Sequence, residues 1–277
     1  MDYLAPIEMS QFRKIIATLR DVRDVDLSDY AVSPLKHRFE RVMQLHGYFS
    51  ADKLVEKIMH DDVFADIFLK EIATPVTEMF RDPQMWAELE NILSRQDKEG
   101  NLKIWLPEVC GDEELYSLMI LLQRTKLFQR SVVYATCGNQ RVLENVQRGA
   151  VEIRKMETNQ ANFKRMDENG DLSHYFSRVD KFDIFSDDLL SAVVFLQHDL
   201  FRKSPPDKGF DIILFRNKMV NYSMRLKSLA VEIMNDSLAP GGFFIIGVGE
   251  TLENCDKRKY FKLVSRTENI FQKISIV

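Results

Sequence analysis

"IWLPEVCGDEELYSLMILL", residues 104–122, joins a short apolar run to an amphipathic stretch through a tight acidic turn. Its spacing predicts a strand, a turn and a helix, the unit that places ligand sites at the carboxyl ends of strands in α/β proteins. The turn holds one glycine, Gly111, where nucleotide-binding loops carry two or three. It also holds Glu108, Asp112, Glu113 and Glu114. Negative charge at a helix N-terminus is worth a few tenths to about 1 kcal/mol. That accounts for Asp112 and Glu113, and less naturally for Glu108.

The same grammar continues on the C-terminal side. The runs "LKIWLPEV", "SVVYATC", "AVVFLQHDL", "FDIILFR" and "GGFFIIGVGE" alternate with helical stretches predicted over 113–127, 139–148 and 223–238. This pattern predicts βαβ units and a mostly parallel sheet. "APGG" at 239–242 reads as a turn before the "FFIIGVG" strand. Residues 150–192 break the pattern. They are polar, with aromatics at Tyr175, Phe176, Phe182 and Phe185, and predict a small inserted subdomain, about 152–192, with a hairpin.

The first hundred residues contain no convincing strand. "SQFRKIIATLRDV" sets Phe12, Ile15, Ile16 and Leu19 at helical spacing, with Ser10 the expected cap. "SPLKHRFERVMQLHGY" has Pro34 near a helix start and Gly47 at its end. "SADKLVEKIMHD", "DDVFADIFLKEIA" and "DPQMWAELENILSRQ" predict three more helices. The expected organisation is an N-terminal helical domain with a connector helix over 1–88, then an α/β domain over 89–277.

At 277 residues the chain is long enough for a sizeable core, and a net charge of −4 argues against wholesale nucleic-acid binding. No apolar run approaches a membrane span, and "MDYLAPIEMSQ" lacks the pattern of a signal peptide. Cys110, Cys137 and Cys255 are widely spaced, which fits reduced thiols in a cytoplasmic protein. Five scattered histidines without an H-E-x-x-H pattern give no metal signal.

Several ordered motifs together resemble the CheR family, the chemotaxis receptor methyltransferases that move a methyl group from S-adenosylmethionine to receptor glutamates. The resemblance spans roughly residues 8–273. "IATPVTEMFRDPQMW" resembles a segment ending in Thr-x-Phe-Phe-Arg. "IWLPEVCGDEELYSLMILL" resembles Trp-Ser-x-Gly-Cys-Ser-x-Gly-Glu-Glu-Pro-Tyr-Ser, and "YATCGNQRVLENVQRG" a Thr-Asp-Ile-Asp motif with its helix. "FDIILFRNKMVNYS" resembles Asp-x-Ile-x-Cys-Arg-Asn-Val-x-Ile-Tyr-Phe, and "LAPGGFFIIGVGETL" resembles Leu-x-Pro-Gly-Gly-x-x-x-x-Gly-x-x-Glu-x-Leu.

The resemblance implies an S-adenosylmethionine-dependent methyltransferase fold with a helical N-terminal domain, and it assigns residues to a site. Arg81, Arg216 and Asn217 fall on positions tied to catalysis. Thr77, Arg81, Glu113, Asn139, Asp199, Leu200 and Asn217 fall on cofactor-binding positions. An arginine at 81 could grip the methionyl carboxylate through its fork of donors. The implied partner is a chemoreceptor-like protein with acidic coiled-coil helices. Lys36, Arg38 and Arg41 are candidates for the basic face that meets it, though only partly same-sided.

The departures concentrate on cofactor contacts. Glu108 and Asp112 stand where the family has glycines, with Gly111 expected to take the bend. Cys137 and Asn139 replace two aspartates, and Asn139 can also be read simply as a helix cap. Met79 replaces an aromatic. Asn221 stands at the family tyrosine, with Tyr222 one position on, where a helix would turn it about 100° away. Two readings therefore stand: a diverged methyltransferase acting on glutamates, and a catalytically inactive relative that serves as a receptor-binding or signalling module.

Overall fold

Four helices form from the apolar spacing of the N-terminal region: α1 (Met9–Arg23), α2 (Val32–Leu45), α3 (Ala51–His60) and α4 (Asp62–Ala73). The computed structural model describes residues 6–73, 78–95, 100–109, 111 and 113–274, and Thr77, Cys110 and Asp112 lie outside the described residues. Phe39 on α2 is fully buried, its ring centroid 5.4 Å from Phe12 and 5.5 Å from Phe68. The cap of α1 is Glu8 rather than Ser10. The Glu8 carboxylate accepts the backbone N–H of Gln11, while the Gln11 side chain accepts that of Glu8. Residues 218–227 belong to this unit. There the Asn221 carbonyl accepts the Ala31 N–H at 2.7 Å, and the buried Tyr222 ring meets Tyr30 edge-on at 5.4 Å.

The second unit comprises residues 76–217 and 228–277. In order it contains α5 (Pro83–Ser94), β1 (Leu102–Leu106), α6 (Glu113–Arg124), β2 (Ser131–Cys137), α7 (Gln140–Gln147), β3 (Ala150–Glu152) and α8 (Ile153–Met166). Then come β4 (Phe176–Val179), β5 (Phe182–Phe185), α9 (Asp187–Leu190), β6 (Val193–Gln197), β7 (Phe210–Phe215), α10 (Met224–Ser237, of which residues 224–227 fall in the first unit), β8 (Leu238–Ile246), β9 (Phe261–Ser265) and β10 (Ile270–Lys273). The main sheet runs β6-β2-β1-β7-β8-β10-β9. Its first five strands are parallel neighbours, and β10 pairs antiparallel with β8 and β9. Chain order reverses between β1 and β7. An open α/β sheet has its ligand crevice at such a switch point.

Burial explains why this sheet forms. β7 is apolar from Ile212 through Phe215 because both of its faces are covered there, and all four residues are buried. Helix α6 is buried from Leu115 through Leu122, so it shows no simple polar stripe. Trp105 on β1 stacks on Phe210 at 5.3 Å and donates its indole N–H to Thr136 Oγ1 at 3.0 Å, which satisfies the one polar atom of a fully buried ring. The expected connector helix, α5, places Trp86, Leu89 and Leu93 in the core of the second unit.

The polar insertion folds as a three-stranded antiparallel sheet, β3-β5-β4, carrying α8. Its β4–β5 hairpin turns through Asp180 at φ +52°. Two details differ from the sequence reading. "APGG" lies within β8, as an irregularity with Gly241 at φ +78°, because the strand continues past the shift in register opposite Phe210 and Ile212. β9, with a half-polar pattern that gives a weak strand signal, closes the sheet edge.

The insertion and the main sheet meet at Tyr116 of α6. Its ring stacks on Phe185 at 4.4 Å and its hydroxyl donates to the Val146 carbonyl at 2.6 Å. Replacing Tyr116→Phe leaves that buried carbonyl without the hydroxyl. A destabilisation of about 1–3 kcal/mol is expected, read as a lower urea midpoint at unchanged slope.

Candidate active site

Three strand ends build the candidate site within the second unit. Two residues beyond the end of β1, Glu108 takes the left-handed conformation at φ +52°. Two residues beyond the end of the neighbouring β7, Asn217 does the same at φ +58°. Glu108 thus adopts the backbone that a glycine would favour, so a side chain has been added without straightening the turn. The Val109 N–H then donates to the Thr136 carbonyl at 2.8 Å and returns the chain to β2. The bend expected at Gly111 is flanked by Cys110 and Asp112, outside the described residues.

Asn217 is held by Glu250. The buried Glu250 carboxylate oxygen accepts the Asn217 N–H at 2.8 Å and the Gly247 N–H at 2.7 Å. Asn269 donates its amide to the carbonyls of Gly247, Val248 and Glu250, closing the support from behind. Gly247 is required by close approach: a Cβ there would stand 2.6 Å from Asn217 Oδ1 and 2.9 Å from its nitrogen.

Arg216 is not presented to a reacting group. It is 3% exposed, and its guanidinium lies 5.6 Å over the Trp86 ring. It donates to Glu114 Oε1 at 3.1 Å, Asp82 Oδ2 at 2.7 Å and the Arg81 carbonyl at 3.0 Å. These bonds make it a clamp on the 80–82 loop, a positioning role instead of the catalytic one implied by its motif. That loop is sharply bent, with Phe80 at φ +51° and Asp82 at φ +57° on either side of Arg81. Arg81 is half-buried, and its carbonyl also accepts the Trp86 indole N–H at 3.0 Å. Burial holds the Glu268 carboxyl above its ordinary pKa, and Glu88 and Asp82 push it the same way while Arg216 opposes them.

The remaining cofactor-binding candidates are engaged by their own surroundings. Glu113 is fully buried, with its carboxylate bound to the Lys155 ammonium from α8. Asn139 caps α7, accepting the Arg141 N–H at 2.9 Å. Its own N–H donates to the Cys137 sulfur at 3.4 Å. Asp199 accepts the N–H groups of Phe201 and Arg202 on one oxygen, at 3.0 and 3.2 Å. Leu200 beside it is 1% exposed. At the displaced tyrosine position, Asn221 Oδ1 accepts from Arg38 at 2.6 Å inside the first unit, and Tyr222 is packed away against Tyr30. Thr77 lies outside the described residues. Sequence reading did not single out Asp82, Trp86 or Lys155, because each reaches the site through a contact distant in sequence that no local motif encodes.

A mostly parallel sheet with its switch point at β1/β7, preceded by a helical unit, is the architecture of an S-adenosylmethionine-dependent methyltransferase fold, and the family comparison assigns it to that class. The model of the CheR methyltransferase SAM-binding domain matches residues 75–270, and that of the CheR methyltransferase all-alpha domain matches residues 10–73. The chain belongs to the CheR methyltransferase family, and its SAM-binding domain architecture fits use of that cofactor. It is 24% identical over 264 residues to Cher3 of Pseudomonas putida, which carries a methyltransferase name; the match covers 95% of this chain and 96% of that one. It is 27% identical over 233 residues to a chemotaxis protein methyltransferase of Listeria innocua, covering 83% and 86%. Among solved structures, magnesium protoporphyrin IX methyltransferase of Synechocystis with bound SAM aligns at a TM-score of 0.39 and 12% identity, over 80% of this chain and 96% of that one. No described helix is long and apolar enough to cross a membrane, and the described residues contain no group of three or more His, Cys, Asp or Glu side chains suited to a metal ion.

Two substitutions test the supports. Gly247→Ala drives a methyl group into Asn217, and a loss of about 1–3 kcal/mol is expected from the overpacking, measured by thermal or urea unfolding. Arg216→Met leaves the half-buried Asp82 and Glu114 carboxylates and the Arg81 carbonyl without their donor, at a cost of about 1–3 kcal/mol near pH 8. Removing Arg216 also removes the positive charge that opposes the rise of Glu268, so this carboxyl is raised further in the variant and binds its proton more readily as pH falls; the deficit is expected to shrink toward pH 5 in unfolding curves taken across that range.

Proposed function

We propose that the chain transfers methyl groups from S-adenosylmethionine to glutamate side chains of a chemoreceptor-like protein. The observation that carries this reading is the pair of left-handed residues, Glu108 and Asn217, at the ends of the neighbouring strands β1 and β7. The backbone shape that a cofactor crevice needs persists although a family glycine has become Glu108. The donor set suits the cofactor's methionyl end, because the buried Glu113 carboxylate already holds a primary ammonium, that of Lys155.

In this reading Glu113 receives the cofactor's ammonium and Arg81 its carboxylate. Asn139 offers a neutral carbonyl to the ribose, and Asp199 with Leu200 borders the adenine. Asn217, fixed by Glu250 and Gly247, orients the entering carboxylate. The family motif adds Thr77 to the cofactor-binding positions. The cofactor supplies an electrophilic methyl on a sulfonium. The chain itself needs no general base, since a glutamate is already ionised at neutral pH. Its residues align the nucleophile and exclude water. On the receptor-facing side, Arg41 is exposed. Lys36 lies 4.0 Å from Glu40, and Arg38 is bonded to the Ile72 carbonyl and Asn221, so the basic face is thinner than its sequence suggested.

A second reading, a receptor-binding module without catalysis, is favoured by Asn139 and Asp199, whose acceptors serve their own backbones. Incubation with methyl-labelled S-adenosylmethionine and a receptor coiled-coil fragment separates the two. Transfer is expected to give ester label that alkali releases as methanol. Absence of label, with the receptor fragment still bound, overturns the enzyme reading. Combining Glu108→Gly, Asp112→Gly and Asn139→Asp is expected to tighten S-adenosylhomocysteine binding in calorimetry. Unchanged affinity would show that these departures do not limit the pocket.

A further inference from the structure

The pairing of Glu113 with Lys155 is unusual for an internal ion pair. The Glu113 side chain is 1% exposed, whereas that of Lys155 is 38% exposed. The carboxylate is sealed in the protein, and the ammonium reaches it from the solvent side on a flexible four-carbon stem. The backbones on both sides are fixed. Ser117 donates its hydroxyl to the Glu113 carbonyl at 2.7 Å and accepts the Phe80 N–H at 2.9 Å. From α8, Asn159 accepts the Met79 N–H at 3.0 Å, and Asn162 donates to the Met79 carbonyl at 3.1 Å. Glu113, α8 and the loop that carries Arg81 therefore form one rigid polar belt, and the lysine stem is its adaptable member.

We infer that Lys155 is an internal surrogate for a ligand ammonium: its Nζ neutralises Glu113 in the ligand-free protein, and a primary ammonium of the cofactor displaces it. The inference rests on the methyl-transfer reading and adds a regulation of that site. A buried carboxylate left without a cation is strongly destabilising, so the ligand-free protein needs a counter-ion at this point. Exchanging one primary ammonium for another keeps the buried charge balanced, and the withdrawn lysine can re-enter solvent. Occupancy of the site by Lys155 lowers the apparent affinity for the ligand by the fraction of molecules in which the acid is open. The penalty is specific to ligands that carry an ammonium. The adenosine half of the cofactor does not compete for Glu113.

The test compares S-adenosylhomocysteine, which has the ammonium, with 5′-methylthioadenosine, which lacks it, by calorimetry on the wild-type protein and on Lys155→Met and Lys155→Arg. Lys155→Met is expected to bind S-adenosylhomocysteine about tenfold more tightly with 5′-methylthioadenosine unchanged, and Lys155→Arg, which keeps a cation, to show no gain. Unchanged or weaker S-adenosylhomocysteine binding in folded Lys155→Met, or an equal gain for both ligands, overturns the inference. A separate arm follows the melting temperature of Lys155→Ala with ethylammonium chloride against sodium chloride at equal ionic strength. The surrogate predicts that ethylammonium raises the midpoint of this variant, with no such rise in the wild type; no difference between the salts overturns it. If neither nucleoside binds any variant, the methyl-transfer reading fails while the ethylammonium arm still decides the role of Lys155. Should Lys155→Met not fold, Glu113→Gln replaces it in calorimetry. The wild-type affinity difference between the two nucleosides is then expected to narrow, leaving the part that Arg81 supplies through the carboxylate, and an unchanged difference overturns the inference.

Discussion

The buried guanidinium of Arg216 is the contact on which the site's architecture turns. It sits at the end of β7, beside the switch point of the sheet, and binds the 80–82 loop, the first turn of α6 and the face of Trp86 at once. A cation with a planar fork of donors can hold two carboxylates and a carbonyl in separate directions, which a lysine could not do with the same geometry. The left-handed residues Phe80 and Asp82 are tolerated because this clamp over-determines the loop between them. Arg81 then follows from the clamp: its backbone is fixed through its carbonyl before any ligand arrives.

The acidic turn after β1 has a physical resolution. Glu108 replaces a glycine of the family yet occupies the conformation that favours glycine, so the fold kept the bend and absorbed the local strain. Glu113 is neutralised from a distant helix, and Glu114 is neutralised by Arg216. Two of the four acids in the turn are thereby parts of ion pairs formed only in the folded chain. For Glu113 and Glu114, the negative charge that looks surplus in the linear sequence is balanced in the structure.

Much of the architecture was legible along the chain. The alternation of apolar runs and amphipathic stretches marked the parallel strands, and Phe12, Ile15, Ile16 and Leu19 marked a helical face that the structure buries. The insertion announced itself by polarity and by its aromatics. Where the reading slipped, the cause was local context. Ser10 has the chemistry of a cap, but the Glu8–Gln11 box begins the helix two residues earlier. The half-polar pattern of β9 carries little strand signal, and its partner β10 supplies the pairing that its sequence lacks. In the site, motif position singled out Glu113, Asn139, Arg216 and Asn217 without revealing what each touches. Asn139 is a cap and Arg216 a clamp.

The sequence by itself determined the family, the alternation of parallel strands with helices, and where the chain departs from the family's motifs, because periodicity and ordered motifs are properties of the linear chain. Only the tertiary structure decided that Glu108 keeps the turn, that Arg216 holds a loop, and that Lys155 meets Glu113. Each of those outcomes depends on backbone torsions and charge pairs between residues far apart in sequence, and burial sets their strength by removing the water that would otherwise screen them.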